Sequence, residues 1–134
     1  MAHNKKNLKI LIVDDEENIL KLLEAMLMKM GFQKIIKSKS SEEAIRLTKE
    51  DPPDLFFIDI MMPGMAGNEF RGLLKEKSAT KNIPVIFISG IISKTEEKAM
   101  GGKLVSGDII IAKPFSIERI AEAIAESFKN IQKN

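Results

Sequence analysis

Leu55-Phe56-Phe57-Ile58-Asp59-Ile60-Met61-Met62-Pro63-Gly64-Met65-Ala66-Gly67 is an apolar run that ends in one carboxylate and then breaks into Pro and Gly. Such a run predicts a parallel strand buried on both faces, with Asp59 delivered to its carboxyl end. In an open α/β sheet that end is where ligands bind, so Asp59 is placed for chemistry.

Upstream, Leu8-Lys9-Ile10-Leu11-Ile12-Val13 predicts another short strand that stops at Asp14-Asp15-Glu16-Glu17. Ile19, Leu22, Leu23, Met26, Leu27 and Met30 follow at spacings of three and four, one face of a helix closed by Gly31. Gln33-Lys34-Ile35-Ile36-Lys37 is a weaker strand whose charged flanks suit an edge. Ser40 with Glu43 forms a capping-box pattern, and Ala44, Ile45, Leu47 and Thr48 continue a helix that stops before Asp51-Pro52-Pro53.

Downstream, Phe70, Leu73 and Leu74 mark a third helix, and Pro84 introduces the strand Val85-Ile86-Phe87-Ile88, which exits at Ser89-Gly90. Thr95 to Met100 starts as a helix, but each residue of Gly101-Gly102 disfavours its continuation by about 1 kcal/mol, so a short or irregular helix is expected. Asp108-Ile109-Ile110-Ile111-Ala112 is a fifth strand, followed by Lys113-Pro114-Phe115. Ser116 caps a last helix with the face Ile117, Ile120, Ala121, Ile124, Phe128 and Ile131.

Five strands alternating with helices, joined by connections too long for hairpins, imply right-handed βαβ units and a doubly wound parallel sheet flanked by helices. All strand carboxyl ends then lie on one edge, which collects Asp14, Asp15, Asp59, Ser89 and Lys113.

The chain of 134 residues is expected to form a single domain, with its core from about residue 8 to 131. No apolar run approaches the roughly 18 residues of a membrane span, and the N-terminus lacks the apolar region of a signal peptide, so no membrane insertion and a cytoplasmic site are expected. The absence of cysteine excludes disulfides, thiol nucleophiles and iron–sulfur clusters. The only histidine, His3, reads as part of a solvated tail, so no histidine-dependent triad can form. The 21 basic and 19 acidic residues are interspersed and no Tyr or Trp accompanies the lysines, so nucleic-acid binding by this chain alone has weak support and is not expected.

Three converging carboxylates without His or Cys make a hard, oxygen-rich site that suits Mg²⁺. One or two acids hold the ion, which leaves another free as a nucleophile, while Lys113 and Ser89 supply a point charge and a hydroxyl donor around a phosphoryl group. Taken singly, each feature has a plainer reading. Acids after a strand cap the next helix, Asp59 before Pro63-Gly64 is a turn residue, and Ser-Gly and Lys-Pro are ordinary loop chemistry. Their joint occurrence at successive strand ends favours the site. Gly101-Gly102-Lys103 lacks the rest of a P-loop, and the eight methionines read as core filling.

The set Ile12-Val13-Asp14-Asp15-Glu16, Asp59 to Gly67, Ser89 and Lys113-Pro114-Phe115 resembles the receiver domain of bacterial two-component response regulators. The resemblance runs from about Leu8 to Ile131 and implies a flavodoxin-like strand order of 2-1-3-4-5. It implies that Asp59 accepts a phosphoryl group from a sensor histidine kinase or a histidine phosphotransfer protein. It further implies that Asp15 binds Mg²⁺ directly, Asp14 largely through water, and the Met61 backbone carbonyl as a further ligand. Lys113 would pair with the phosphoryl oxygens ahead of a cis peptide to Pro114, and Ser89 would swing toward the phosphate, drawing the Gly90 loop along and presenting a changed surface to a downstream protein. Ile110 stands where the family usually has Tyr or Phe, so output by ring rotation is not expected to carry over. Met61 and Ile91 stand where polar residues often orient attacking water, which suggests a long-lived phosphoaspartate. The competing readings are a Mg²⁺-dependent phosphohydrolase with Asp59 as nucleophile, a pseudo-receiver serving only as an interaction module, and the receiver portion of a longer DNA-binding regulator.

Overall fold

Val85 to Ser89 and Leu55 to Asp59 are buried at every position, as strands sandwiched between helix layers must be. The computed structural model describes residues 5–132, with backbone alone for 130–132, so His3 and the Ile131 side chain lie outside the described residues. In chain order the elements are β1 (Lys9–Val13), α1 (Glu17–Lys29), β2 (Lys34–Ser38), α2 (Ser41–Glu50), β3 (Leu55–Asp59), α3 (Gly67–Lys75), β4 (Val85–Ser89), α4 (Lys94–Ala99), β5 (Ile109–Ala112) and α5 (Ile117–Gln132). The strands form one parallel sheet in the order β2-β1-β3-β4-β5, with β3 central and the weakly apolar β2 on an edge.

Alternation along the strands divides the core into two layers. Ile10, Ile12, Leu55, Phe57, Ile86, Ile88, Ile109 and Ile111 face α1 and α5 through Leu20, Leu23, Leu27, Ile120 and Ala123. Leu11, Val13, Phe56, Ile58, Phe87 and Ile110 face α2 and α3 through Ala44, Phe70 and Leu74. Phe56 and Phe70 meet edge to face with ring centroids 5.7 Å apart, which fastens α3 to the centre of the sheet.

Several helix faces are turned relative to the pattern expected from sequence. Leu20 is buried in α1 while Leu22 is 41% exposed, because Leu22 lies about a third of a turn from the centre of the packed stripe. Leu73 in α3 is likewise exposed, and Ala121 in α5 yields its inward place to Ala123. Only half of the expected capping box at α2 forms. The Ser40 hydroxyl accepts the Glu43 N–H at 3.1 Å, but the Glu43 carboxylate accepts from Lys39 N–H rather than from Ser40. Ser116 does cap α5, accepting from Arg119 N–H at 3.1 Å.

The stretch around Gly101-Gly102 forms the short α4 and a fold-back. Ser93 accepts from Glu96 N–H and the Glu96 carboxylate returns to Ser93 N–H, a full capping box. Six residues later the helix ends, and Gly101 and Gly102 both take positive φ, at 67° and 72°. The chain then turns back so that Lys103 pairs antiparallel with Ile109, and Gly102 C=O accepts from Ile110 N–H at 2.8 Å. Asp108 thereby falls outside β5 and pairs with Arg71 of α3 at 3.1 Å.

Candidate phosphoacceptor and metal site

Order reverses in this sheet between β1 and β3, the two strands whose exits carry the acids. Each exit extends the ladder by one bond before the chain departs. Asp14 N–H donates to Ser38 C=O at 3.0 Å, Ile60 N–H to Ile88 C=O at 3.1 Å, and Lys113 N–H to Ser89 C=O at 2.8 Å. Backbone pairing therefore fixes the functional side chains before any side-chain contact is made.

Asp14 is fully buried. Its Oδ1 accepts Glu16 N–H at 2.9 Å, and its Oδ2 lies 2.9 Å from Lys113 Nζ in an ion pair whose angle does not complete a hydrogen bond. Asp59 is 3% exposed, its Oδ1 accepts Met61 N–H at 3.3 Å, and its Oδ2 is 3.5 Å from the same ammonium. The third carboxylate on Lys113 is Glu16, whose Oε1 accepts from Nζ at 3.1 Å. Asp15 is exposed, and Asp14, Asp15 and Asp59 each offer an oxygen within 4.8 Å of the others.

Loss of solvation on burial, reinforced by the nearby Asp14 charge and opposed by Lys113, pushes Asp59 up to about 6. Burial also raises Asp14, with Lys113 and the Glu16 N–H opposing it. For Lys113, burial alone would lower the ammonium, but its close ion pair with Asp14 and the field of Asp59 outweigh that and raise it. Two buried acids sharing one lysine are thus short of positive charge, and Asp14 Oδ2 is short of a donor. A divalent cation with oxygen preference meets both needs, so the acid cluster could hold a metal ion.

The other predicted positions are distributed around this centre. Ser89 is buried at the end of β4, and its Oγ accepts Ile91 N–H at 3.2 Å, so the hydroxyl is engaged with its own loop. Gly90 lies against the Lys113 stem, since a Cβ there would stand 3.8 Å from Cδ. Met61 and Ile91 expose their side chains at 58% and 64%. Lys113-Pro114 is cis. Ile110 is 1% exposed and belongs to the core layer with Phe87, against which Ile92 and Leu104 pack.

Further supporting contacts go beyond the roles read from sequence. Glu16 reads there as part of the acidic turn after β1, with no role toward Lys113, and its contact with that lysine spans 97 positions. Gly67 is required by close packing, because any side chain would run into the Asp59 carbonyl and the Ile58 side chain. Ser41 Oγ donates to Met65 C=O at 3.0 Å while Glu42 accepts Met65 N–H at 3.3 Å, so α2 grips the loop that follows Asp59.

Three buried or edge acids and one lysine at the switch point of a 2-1-3-4-5 sheet define a flavodoxin-like domain with an oxygen-donor site. Residues 10–125 match the response regulator receiver domain family. Protein PilG of Pseudomonas aeruginosa is 32% identical over 127 residues, covering 92% of this chain and 90% of PilG. The transcriptional regulatory protein YvrH of Bacillus subtilis is 36% identical over 124 residues, covering 92% of this chain and 50% of YvrH. The crystal structure of chemotaxis protein CheY4 from Vibrio cholerae superposes with a TM-score of 0.75 at 26% identity, covering 90% of this chain and 98% of that one. The chain belongs to the response regulator receiver domain family. It spans about half the length of YvrH and nearly all of PilG. Among the described residues no helix is long and apolar enough to cross a membrane.

Proposed function

We propose that the chain is a phosphoacceptor switch of a two-component or phosphorelay system, in which Asp59 receives a phosphoryl group from the phosphohistidine of a sensor kinase or phosphotransfer protein. The observation that carries this is a buried Asp59 carboxylate 3.5 Å from Lys113, with oxygens of Asp14 and Asp15 within 4.8 Å. An Asp59 oxygen attacks phosphorus, the P–N bond breaks with its electron pair returning to the donor imidazole, and an acyl phosphate remains. Above a pH of about 6 Asp59 is ionised and competent as the nucleophile. Mg²⁺ held by Asp14, Asp15, Asp59 and the Met61 carbonyl would offset negative charge on the phosphoryl oxygens. Lys113 stays protonated and pairs with those oxygens, and Ser89 reaches them by giving up the Ile91 N–H.

The phosphorylated state is selected by contacts that exist only with the phosphoryl group present. Ile110 has no ring to turn, so the change travels through hydrogen bonds instead: Lys113 N–H donates to Ser89 C=O, and Ala112 N–H donates to the Glu97 side chain of α4 at 2.9 Å. An unidentified downstream protein reads the result, in the cytoplasm where ATP charges histidine kinases. The match to half of YvrH favours a second form of this reading, the receiver portion of a longer transcriptional regulator. A phosphohydrolase fits less well, since the position two beyond Asp59 is Met61 and offers no acid for the leaving group.

Intact mass after incubation with acetyl phosphate and Mg²⁺ tests the reading. One phosphoryl adduct, absent in Asp59→Asn and in excess EDTA, is the expected result. No Asp59-dependent adduct would reduce the domain to an interaction module, and sustained multiple-turnover hydrolysis would favour the phosphatase.

A further inference from the structure

We infer that Glu16 is a positioning residue that latches Lys113 in the resting state, so that capture of a phosphoryl group is an exchange of partners on the ammonium. The exchange rests on the phosphoacceptor reading of Asp59; the latch itself does not. Lys113 Nζ is met by three carboxylates, but they are not equivalent. Asp59 Oδ2 stands off at 3.5 Å, and Asp14 Oδ2, though 2.9 Å away, is not aligned for a hydrogen bond. Among the described residues, Glu16 Oε1, at 3.1 Å, is the carboxylate oxygen that accepts a hydrogen bond from the ammonium.

The backbone shows that Glu16 is free for this work. It occupies the N-cap position of α1, yet its side chain caps nothing, and the helix takes its first bonds from Glu16 C=O to Ile19 and Leu20 N–H. Its own N–H is held by Asp14 Oδ1 at 2.9 Å, which aims the side chain from the β1 exit toward the β5 exit. The Glu16 carboxylate is largely exposed, whereas Asp14 is fully buried. A solvated carboxylate gives up a lysine at small cost, because water replaces the lost bond, while a buried one does not. The arrangement therefore contains one firm partner and one releasable partner. An incoming phosphoryl group, bearing more charge than a carboxylate and several acceptor oxygens, displaces the releasable one.

Glu17 provides the internal control. It carries the same charge one residue further on, but its carboxylate lies beside Lys39 at 3.5 Å and makes no contact with Lys113. Removing Glu17 changes the local field; removing Glu16 changes the field and the latch.

The test compares wild type, Glu16→Gln and Glu17→Gln by two measurements. Reductive methylation of Lys113 in the resting protein, quantified by peptide mass, reports the latch without any phosphoryl transfer. The rate of Asp59 adduct formation from acetyl phosphate and Mg²⁺ reports the exchange. Glu16→Gln is expected to accelerate both by about two- to fivefold, the size of an exposed ion pair, and Glu17→Gln to change either by less than half as much. Unchanged Lys113 methylation in Glu16→Gln, or equal effects of the two substitutions, overturns the latch. Faster methylation with an unchanged or slower adduct rate overturns the exchange. A wild-type protein that forms no adduct removes the phosphoacceptor reading and the exchange together, while methylation still decides the latch.

Discussion

A carboxylate buried like Asp59 costs the fold stability whenever it is ionised. Its folded value of about 6 lies above the ordinary 3.8, so the native chain binds a proton that the unfolded chain has already lost between those two limits. Stability is therefore highest below about pH 4, falls as pH rises through about 6, and is level above 7 as far as this group is concerned. The rise from 3.8 to about 6 corresponds to at most about 3 kcal/mol. Asp59→Asn is expected to stabilise the metal-free protein by about 1–2 kcal/mol at pH 7.5, less than the maximum because Lys113 loses a partner. The gain should vanish near pH 4. Urea denaturation midpoints at the two pH values measure it, and a variant less stable than wild type at pH 7.5 would show that Lys113 more than offsets the burial. In the proposed phosphoacceptor, Met61 and Ile91 would govern a different property of the same residue. Both carry exposed apolar side chains, Met61 with its N–H on Asp59 and Ile91 with its N–H on Ser89, and an apolar side chain offers no polar atom to orient a water toward an acyl phosphate. Met61→Asn with Ile91→Glu is expected to shorten the phosphoaspartate half-life by about tenfold or more, the lower range of general-base assistance. Decay of the adduct followed by intact mass decides this, and an unchanged half-life would assign hydrolysis to other groups.

The elements show which parts of this arrangement are legible in the chain and which are not. Strands β1, β3, β4 and β5 are short apolar runs between polar breaks, and their exits carry Asp14, Asp59, Ser89 and Lys113, so the sheet edge and its chemistry follow from local pattern and topology. Helix faces were less legible, because Leu22, Leu73 and Ala121 fit a periodic stripe but lie toward its margin, where tertiary packing decides. Contacts made across long sequence separations left no local signal, as with Glu16 to Lys113 and Glu97 to Ala112 and Arg119. Gly67 is an intermediate case. It looks like loop punctuation, yet it lets α3 begin directly against the exit of β3. Gly67→Ala is expected to destabilise by about 1–3 kcal/mol, the cost of overpacking a site bounded by backbone. A shift in denaturation midpoint with unchanged slope measures it, and a neutral result would mean that α3 can slide. Helix α4 buries no residue, and among the described residues the Glu97 side chain bonds it both to Ala112 of β5 and, at 2.6 Å, to Arg119 of α5. Glu97→Ala should raise amide exchange across Lys94–Ala99 by about tenfold, the loss of a charge-assisted bond, while β3 and β4 exchange as before.

At the scale of the whole molecule, Mg²⁺ held by the acid cluster would couple folding to metal and proton at once. A cation that binds only the folded chain stabilises it by an amount set by its concentration relative to Kd, about 2.7 kcal/mol at a hundredfold excess. For a chain of this length that is about 10 °C in Tm. Protonation of Asp59 removes one of the three acids, so Mg²⁺ and the proton compete. At pH 5, one unit below its value of about 6, Asp59 is roughly nine-tenths protonated, and the apparent Kd rises about tenfold over that at pH 7.5. Fixed Mg²⁺ then stabilises by about 1.4 kcal/mol less. Over the same interval the metal-free protein gains stability as Asp59 sheds its charge, so the melting curves with and without Mg²⁺ should converge as pH falls from 7.5 to 5.0. Thermal unfolding at both pH values, in Mg²⁺ and in EDTA, gives the four numbers required. An increment from Mg²⁺ that stays constant across that range would mean that the ion binds away from Asp59, and the buried acids would then be held by Lys113 alone.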